Sequence, residues 1–516
     1  MPRRAGILVP LFSIPSSDSW GIGEIGDIPL LAAWLRSAGQ RILQLLPINE
    51  MPPAERSPYS ALSAMAIDPQ FISLRHLEDF EAIGGETRLE PELRERIEKA
   101  RASRTVDYAS VRELKQLALR KSFARFKQAE WYARTARAAA FQQYIESEAD
   151  WLADYALFRA LHAHHAGRSW LEWPEALRDR DDAALAQARD QFADDILYRQ
   201  YLQWVAQGQW TAARAASNDI VLFGDLPFMV SGDSADVWAR QDEFRLDASV
   251  GVPPDAFSET GQDWGMPVYR WDVFAARDFD WLRARARRNA ALFDGYRVDH
   301  LVGFYRTYFR PHGGGAAQFT PPEQEEQTRL GERVLQVFRE AGSEIIAEDL
   351  GVVPDFVRES LARLSVPGYK VLRWEREWHT EGCPFKDPAD YPECAVATSG
   401  THDTEPMATW WESAPTEEKE AVLAIPSVRA RVGGGAPPPD ALIESLVASG
   451  ADLLVLPMQD VFGWQDRVNQ PATVSDANWT WRLPWPVEKM REQPEAILAA
   501  ARLNRWSSQY RREFGY

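Results

Sequence analysis

Two carboxylic acids in this sequence stand where they could act as a nucleophile and a proton donor. Asp299 lies two residues after Arg297 at the end of an apolar segment, and Glu348 follows the apolar run 345–347. Side chains two residues apart share one face of a strand, so we expect Arg297 to lie beside Asp299 and to favour its ionised form. The apolar approach to Glu348 predicts partial desolvation and a raised pKa, as a general acid requires.

Further polar residues follow other apolar segments of the same kind. The carboxylates in this position are Asp225, Asp299, Glu348, Asp403 and Asp460. We predict that they line one rim of the fold, with His402 placed beside Asp403 to bind a hydroxyl. An ionised Asp and a protonatable Glu on neighbouring strands, which lie about 4.8 Å apart, match the carboxylates of retaining glycoside chemistry, which are held about 5–5.5 Å apart.

Eight short segments rich in Val, Ile and Leu must position these residues. Helical patterns separate most of them, for example at 28–38, 279–293, 329–341 and 355–364. Continuous apolar strands separated by helices indicate a parallel sheet covered on both faces. We therefore predict an α/β fold, a (β/α)₈ TIM barrel with the active site at the carboxyl ends of its strands. The predicted strands are 7–13, 41–47, 220–225, 295–300, 344–349, 369–374, 395–403 and 453–460.

A large insertion is predicted between the second and third strands. Val111, Leu114 and Ala118 recur at helical spacing there, and charged residues fill the positions between them. The stretch is too long to be a loop. We predict that residues 1–516 form a single catalytic barrel and that residues 70–217 are a mostly α-helical insertion subdomain within it.

The composition excludes several classes of partner. The chain has 58 Lys and Arg residues against 76 Asp and Glu residues, a formal net charge of −18, whereas nucleic acids and anionic membranes require basic surface. No stretch approaches the roughly 20 apolar residues of a membrane span. The two cysteines, Cys383 and Cys394, are too few for a disulfide framework and lack the spacing of a zinc site. We expect a cytoplasmic protein without a metal site.

The motifs that carry this chemistry resemble, in the same order and over nearly the whole chain, those of a known enzyme family. This family is the 4-α-glucanotransferases called amylomaltase or disproportionating enzyme, a branch of the α-amylase superfamily. The matching segments are 57–59 with 63–64, 224–227, 233–238, 251–262, 297–300, 347–351 and 401–403.

The resemblance implies roles for individual residues. Asp299 would be the nucleophile of a retaining double displacement, Glu348 the general acid and then base, and Asp403 the third carboxylate, which grips sugar hydroxyls. The implied substrates are an α-1,4-glucan donor and a sugar acceptor, and no cofactor is implied. Trp264 would lie in a flexible loop that covers the cleft, within a covering region at 228–275. The other implied substrate contacts are Tyr59, which would stack on the donor sugar, Arg297, which would keep Asp299 ionised, and Asp225, His300 and His402, which would bind hydroxyls.

Three alternatives remain open at this point. The first is an α-1,4-glucan hydrolase on the same scaffold, favoured by Asp263 and Met266, which depart from the family pattern beside the covering loop. The second is a metal-dependent barrel enzyme that binds Mg²⁺ through Asp225, Glu348 and Asp460, with Lys370 as its base. The third is a non-catalytic glucan-binding protein, which would have no need of an activated nucleophile.

Overall fold

The computed structural model describes residues 3–254, 261–471 and 473–512. Its strands are β1 (Arg4–Leu8), β2 (Ile42–Gln44), β3 (Val221–Leu226), β4 (Phe244–Val252), β5 (Gln262–Tyr269), β6 (Gly295–Val298), β7 (Thr307–Pro311), β8 (Gln318–Thr320), β9 (Glu344–Ala347), β10 (Gly368–Val371), β11 (Ala395–Thr398) and β12 (Leu453–Pro457). Eight of them close into a parallel barrel in the order β1-β12-β11-β10-β9-β6-β3-β2. Each predicted strand segment overlaps one of these eight, although the predicted 7–13 shares only two residues with β1, and the predicted barrel is confirmed.

The barrel strands are short and buried along almost their whole length. All five residues of β1 and of β12 are buried, because one face fills the barrel and the other packs under helices. The register pairs Ile7 with Leu43 on one side and with Leu456 on the other. Except for β3, which contains Asp225, the strands end earlier than the apolar patterns suggest, so the polar residues that follow them lie in the connecting segments at the mouth of the barrel.

Helices cover the barrel and fill the insertion. They are α1 (Ile28–Ser37), α2 (Glu78–Ala82), α3 (Pro91–Ala102), α4 (Tyr108–Phe126), α5 (Ala136–Ser147), α6 (Ala149–His164), α7 (Glu175–Arg178), α8 (Asp182–Gln191), α9 (Ala193–Ser217), α10 (Ala235–Ala239), α11 (Trp271–Ala276), α12 (Asp280–Leu292), α13 (Val302–Tyr305), α14 (Gln324–Glu340), α15 (Asp355–Arg363), α16 (Met407–Ser413), α17 (Thr416–Leu423), α18 (Pro426–Gly433), α19 (Pro438–Val447), α20 (Met458–Phe462) and α21 (Pro494–Gln509). Among the described residues, no helix combines the length and apolar character needed to cross a bilayer.

The insertion between β2 and β3 contains α2 to α9 and shares its cores with the barrel. Val111 and Leu114 of α4 are buried in the same apolar cluster as Ile7 and Ile42 of the barrel. Helices α6 and α8 of the insertion, represented by Tyr155 and Leu185, pack in a second cluster with residues that follow β3 and β6. The insertion is therefore continuous with the barrel in its packing.

A second sheet lies in the region expected to be a covering loop. Strands β5, β4, β7 and β8 form this sheet in that order, and all of its pairings are antiparallel. Residues 228–275 thus contain α10, β4, β5 and α11, while 255–260 lie outside the described residues. We expected a loop here, and the structure instead contains two strands of a sheet. Ala248 and Val250 of β4 are buried, and β4 pairs with β7 through Val250 and Phe309.

Lys115 of α4 joins the insertion to segments on either side of β2. Its side chain is 1% exposed, and its Nζ lies 2.7 Å from Glu24 Oε1. The same ammonium group donates to the carbonyl oxygens of Gln70 at 2.6 Å and Ile72 at 2.7 Å. Burial lowers the pKa of Lys115 and the charge of Glu24 opposes that change. All three N–H donors of this cation are used inside the protein.

Replacing Lys115 with methionine is expected to destabilise the fold by about 3–5 kcal/mol, because the buried Glu24 loses its charged partner. Denaturant unfolding followed by circular dichroism measures the change. Lys121→Met is the matched control, since Lys121 lies on the same helix with its side chain exposed. Equal unfolding midpoints for the two variants would contradict the role assigned to Lys115.

Candidate active site

The carboxyl ends of β3, β6, β9 and β11 bring the predicted polar residues together. Asp225 of β3 is in register with Arg297 of β6, and Arg297 with Ile346 of β9. This alignment places Asp299 and Glu348 just beyond the ends of neighbouring strands. The structure therefore collects at one mouth residues that are far apart in the sequence.

A buried guanidinium holds two of the carboxylates. Arg297, whose side chain is 6% exposed, donates through Nη1 to both oxygens of Asp225 at 2.9 and 2.8 Å. Its Nη2 lies 2.7 Å from Asp299 Oδ1. The Asp225 side chain is 0% exposed, whereas that of Asp299 is 29% exposed. Asp299 is thus oriented by a fixed cation and still has surface open to a ligand, as the spacing of the two residues predicted.

Glu348 occupies a different electrostatic environment from Asp299. Its two carboxylate oxygens accept backbone N–H bonds, one from His300 at 2.8 Å and one from Leu350 at 2.9 Å. Burial raises the pKa of Glu348 to about 7, with the charge of Arg297 opposing the rise and that of Asp299 adding to it. The direction agrees with the expectation from the apolar run before it. A carboxyl with this pKa can give up and regain a proton near neutral pH.

His300 reaches Glu348 through an unusual backbone conformation. Its φ is 43°, in the left-handed region that residues with a side chain seldom adopt. The His300 N–H donates to Glu348 in this conformation. A strained backbone of this kind persists only where the surrounding contacts hold it in place. Burial lowers the pKa of the His300 side chain to about 4, so its imidazole is neutral at pH 7.

Asp403 forms a third, ionised carboxylate. His402 Nε2 lies 3.2 Å from its Oδ2, and Asn469 Nδ2 donates to its Oδ1 at 2.6 Å. Burial alone would raise the pKa of Asp403, but His402 and Asn469 outweigh it and lower the pKa to about 2. The Asp403 side chain is 41% exposed, so this permanent charge faces the mouth.

Tyr59 links the two halves of the cluster. Its hydroxyl donates to Asp225 Oδ2 at 2.8 Å and lies 3.1 Å from His402 Nε2. Since the tyrosine proton goes to Asp225, the Nε2–H of His402 is the donor toward Tyr59 and Asp403, which assigns the tautomer. The Tyr59 ring stacks on His402 with a centroid distance of 5.4 Å and tilts against Trp479 at 5.9 Å.

Trp264 lies on β5 of the second sheet and contacts His300. The two rings meet edge to face at a centroid distance of 4.9 Å, and Phe228 packs against both. The indole Nε1 donates to Gln262 Oε1 at 3.1 Å. Trp264 was expected in a flexible loop, and the structure instead places it on a strand. All nine predicted catalytic and substrate-binding residues therefore belong to one connected cluster.

Asp460 lies beyond the carboxyl end of β12, as expected, but it is buried and, within the described part of the chain, makes no hydrogen bond to this cluster. β12 ends at Pro457, and Asp460 lies in the short helix α20 with 6% of its surface exposed. Its two oxygens accept hydrogen bonds from the Ser399 hydroxyl and the Met407 N–H. Of the predicted magnesium ligands, Asp225 is ion-paired with Arg297. In the part of the chain that the structure describes, no group of three His, Cys, Asp or Glu residues is arranged to hold a metal ion.

The segment after α20 supplies contacts that the sequence reasoning missed. Asn469 binds the Asp403 carboxylate, and Arg467 donates to the Asp403 carbonyl oxygen at 2.7 Å. Trp479 packs against both Tyr59 and His402. No local pattern in the sequence connects these residues to the cluster, since Asn469 lies 66 residues from Asp403.

Comparison with known proteins identifies the family. The family model described as 4-alpha-glucanotransferase matches residues 9–488. The 4-alpha-glucanotransferase of Thermus thermophilus is 35% identical, and the match covers 94% of this chain and 95% of the relative. The 4-alpha-glucanotransferase of Chlamydia pneumoniae is 30% identical, and the match covers 94% of this chain and 92% of the relative. Amylomaltase from Streptococcus agalactiae in complex with acarbose superposes with a TM-score of 0.84 at 27% identity, covering 99% of both chains. This chain belongs to the 4-alpha-glucanotransferase family.

Proposed function

We propose that this enzyme moves segments of α-1,4-glucan between maltooligosaccharides by a retaining double displacement. The observation that carries the proposal is the pairing of a partly exposed Asp299, fixed by Arg297, with Glu348, whose pKa burial raises to about 7. One ionised and one protonatable carboxyl are what this chemistry requires. The S. agalactiae relative, solved with acarbose, supports an oligosaccharide as the ligand.

In the first step Asp299 attacks the anomeric carbon of the donor. The bond from that carbon to the glycosidic oxygen breaks while a bond to a carboxylate oxygen of Asp299 forms. Glu348 gives its proton to the departing oxygen, which leaves as the 4-hydroxyl of the released chain.

In the second step the acceptor reverses these movements. Glu348, now ionised, takes the proton of the acceptor's 4-hydroxyl, and the acceptor oxygen displaces Asp299 from the anomeric carbon. The two N–H bonds to Glu348 stabilise its carboxylate for this step, while burial stabilises the acid needed for the first. A pKa near neutrality serves both steps.

The remaining polar residues bind or position the sugar in this proposal. Asp403, ionised and open to the mouth, accepts hydrogen bonds from sugar hydroxyls together with His402 and His300. The half-buried ring of Tyr59 stacks on the donor sugar, and Trp264 borders the cleft beside His300.

Asp225 has different surroundings from those expected of a direct sugar ligand. Its side chain is fully buried, and its oxygens accept hydrogen bonds from Arg297 and Tyr59. We propose that Asp225 acts through these two residues. It would orient the guanidinium that holds the nucleophile Asp299 and the tyrosine that contacts the sugar.

The residues that depart from the family pattern near the cleft are engaged in the second sheet. The Asp263 carboxylate accepts the N–H of Gly265 at 2.9 Å, and Met266 packs on an apolar core cluster. Neither is in the contacts of Asp299 or Glu348 described above. We therefore propose that transfer, rather than hydrolysis, is the main reaction, with positioned acceptor hydroxyls outcompeting water.

We also propose that the enzyme works in the cytoplasm. The two cysteines, Cys383 and Cys394, are both free thiols in the structure. This state suits a reducing compartment.

Incubation of the pure protein with maltotriose is expected to yield glucose together with maltooligosaccharides longer than the substrate. Chromatography that resolves products by chain length over time measures this. The expectation follows because each donor cleavage leaves a glucan on the enzyme that another maltotriose can accept. Glucose and maltose without longer products would contradict transfer and favour the hydrolase.

Substitution of the two carboxyls is expected to separate their roles. Glu348→Ala should lower kcat on maltotriose by about 10²- to 10⁴-fold. It should react far better with α-glucosyl fluoride, because fluoride leaves without a proton. Asp299→Asn should be inactive on both donors, since no covalent intermediate can form. Glu359→Gln, on the exposed face of α15, is the matched control and should retain activity. Activity of Asp299→Asn near that of the wild type would refute the assignment.

The pH dependence of kcat/KM is expected to report Glu348. The first step needs the protonated acid, so kcat/KM for maltotriose should fall as pH rises through about 7, the pKa of Glu348. With α-glucosyl fluoride this alkaline decline should weaken, because the departing group needs no proton. Initial rates from pH 5 to pH 9 measure both profiles, and identical alkaline limbs for the two donors would contradict the role of Glu348.

A further inference from the structure

A second polar cavity lies within the insertion, lined by none of the residues of the active-site cluster. It has a volume of about 280 Å³ and is enclosed by α4, the end of α6, the start of α9 and the segments that follow β2. Its charged lining consists of the cationic residues Arg112, Lys115, Arg159 and Arg199 and the carboxylates Glu50 and Asp68. The cavity therefore contains more cationic than anionic side chains, although the chain as a whole carries a net charge of −18.

The carboxylates of this cavity are already satisfied by internal donors. Glu50 accepts a hydrogen bond from the Tyr155 hydroxyl on one oxygen and from Arg159 Nη2 at 2.9 Å on the other. Asp68 accepts the N–H groups of Met51 at 3.1 Å and Gln70 at 2.9 Å, one on each oxygen. These acceptors are therefore committed to the fold.

The cations, in contrast, leave donors unused. Arg199 makes no hydrogen bond to any described residue, and its nearest charged contact is Glu50 Oε1 at 3.9 Å. Its Nε is buried without a partner. Arg159 is 6% exposed, with Nη2 donating to Glu50 and Nη1 lying 3.1 Å from His162 Nδ1, and its Nε is buried without a partner. The other two cations are engaged, since Lys115 binds Glu24 and two carbonyl oxygens and Arg112 donates to the Pro53 carbonyl oxygen.

Electrostatic repulsion between Arg199 and Arg159 is a second feature that favours an anion in this cavity. Burial lowers the pKa of Arg199, and the nearby charge of Arg159 lowers it further, while Glu50 opposes the change. Two guanidinium groups thus share one carboxylate in a place with little water. An added anion would supply the missing acceptors and offset the repulsion between the two cations.

We propose that this cavity binds a small phosphate-bearing ligand, with Arg199 and Arg159 as its principal donors. Guanidinium groups match the oxygens of a phosphate and are less strongly hydrated than an ammonium group, so they suit a buried anion site. The cavity volume of about 280 Å³ lies near the lower limit for small-molecule sites. This volume suits a small ligand such as inorganic phosphate or a hexose phosphate.

Such a ligand would contact the base of the segment that carries Tyr59. Glu50 and Met51 line the cavity and begin this segment, 50–66. The Glu50 carbonyl oxygen accepts the N–H of Leu62 at 2.7 Å, which closes the segment on itself. The cavity and the active site thus share a structural element, although they share no lining residue.

The test is a calorimetric titration of the full-length protein with sodium phosphate and, separately, with glucose 6-phosphate at constant ionic strength. We expect saturable binding by the wild type and binding about tenfold to a hundredfold weaker in Arg199→Gln, because a charge-assisted hydrogen bond is lost. Arg189→Gln is the matched control, since Arg189 is exposed on the neighbouring helix α8. It should bind as the wild type does.

A second variant keeps the test decisive if Arg199→Gln fails to fold. Ala163→Trp would narrow the cavity at an exposed lining position without removing a charge, and it should also abolish binding. Tighter binding of glucose 6-phosphate than of phosphate would identify a sugar phosphate as the ligand, and equal binding would identify the phosphate ion. Absence of saturable binding of either probe to the wild type, or equal binding by wild type and Arg199→Gln, would overturn the proposal.

Discussion

The buried guanidinium of Arg297 is the contact on which the active site depends. A cation that is 6% exposed would be strongly destabilising without partners, and Arg297 has two, Asp225 and Asp299. The register of β3 and β6 places Asp225 beside it, and the two-residue spacing of a strand places Asp299 on the same face. The requirement to neutralise one buried charge therefore favours one relative position of the two strands and of Asp299, the proposed nucleophile.

The surroundings of Glu348 and Asp403, and not their residue types, give these two carboxyls different pKa values. Glu348 and Asp403 both follow barrel strands, yet burial raises the pKa of Glu348 to about 7 while His402 and Asn469 lower that of Asp403 to about 2. The protonatable group and the permanently charged group thus lie at one mouth of the barrel. The division of labour is the one expected where neighbouring carboxyls have pKa values pushed apart by their surroundings.

Features set by a local sequence pattern could be predicted from the sequence. Features that depend on residues far apart in the chain could not. The barrel strands and the pairing of Arg297 with Asp299 follow from apolar runs and a spacing of two. The burial of Asp460 was missed because β12 ends at Pro457 and a short helix then carries this carboxylate to partners at Ser399 and Met407. Asn469 lies 66 residues from Asp403, and no local pattern connects them. The second sheet was missed for the same reason, since its strands become visible only when β4 and β7 pair.

The insertion contacts the segment 50–66, which carries Tyr59, and holds it in place from one side. Glu50 at the start of the segment is bound by Tyr155 and Arg159 of α6. Near its end, Asp236 and Arg288 bind the backbone of Ala64 and Met65. Tyr59 lies between these attachments, and its hydroxyl must meet Asp225 and His402 within about 3 Å. Two of these attachments come from the helical insertion and the other two from α10 and α12, so the position of the Tyr59 ring depends on contacts from both sides.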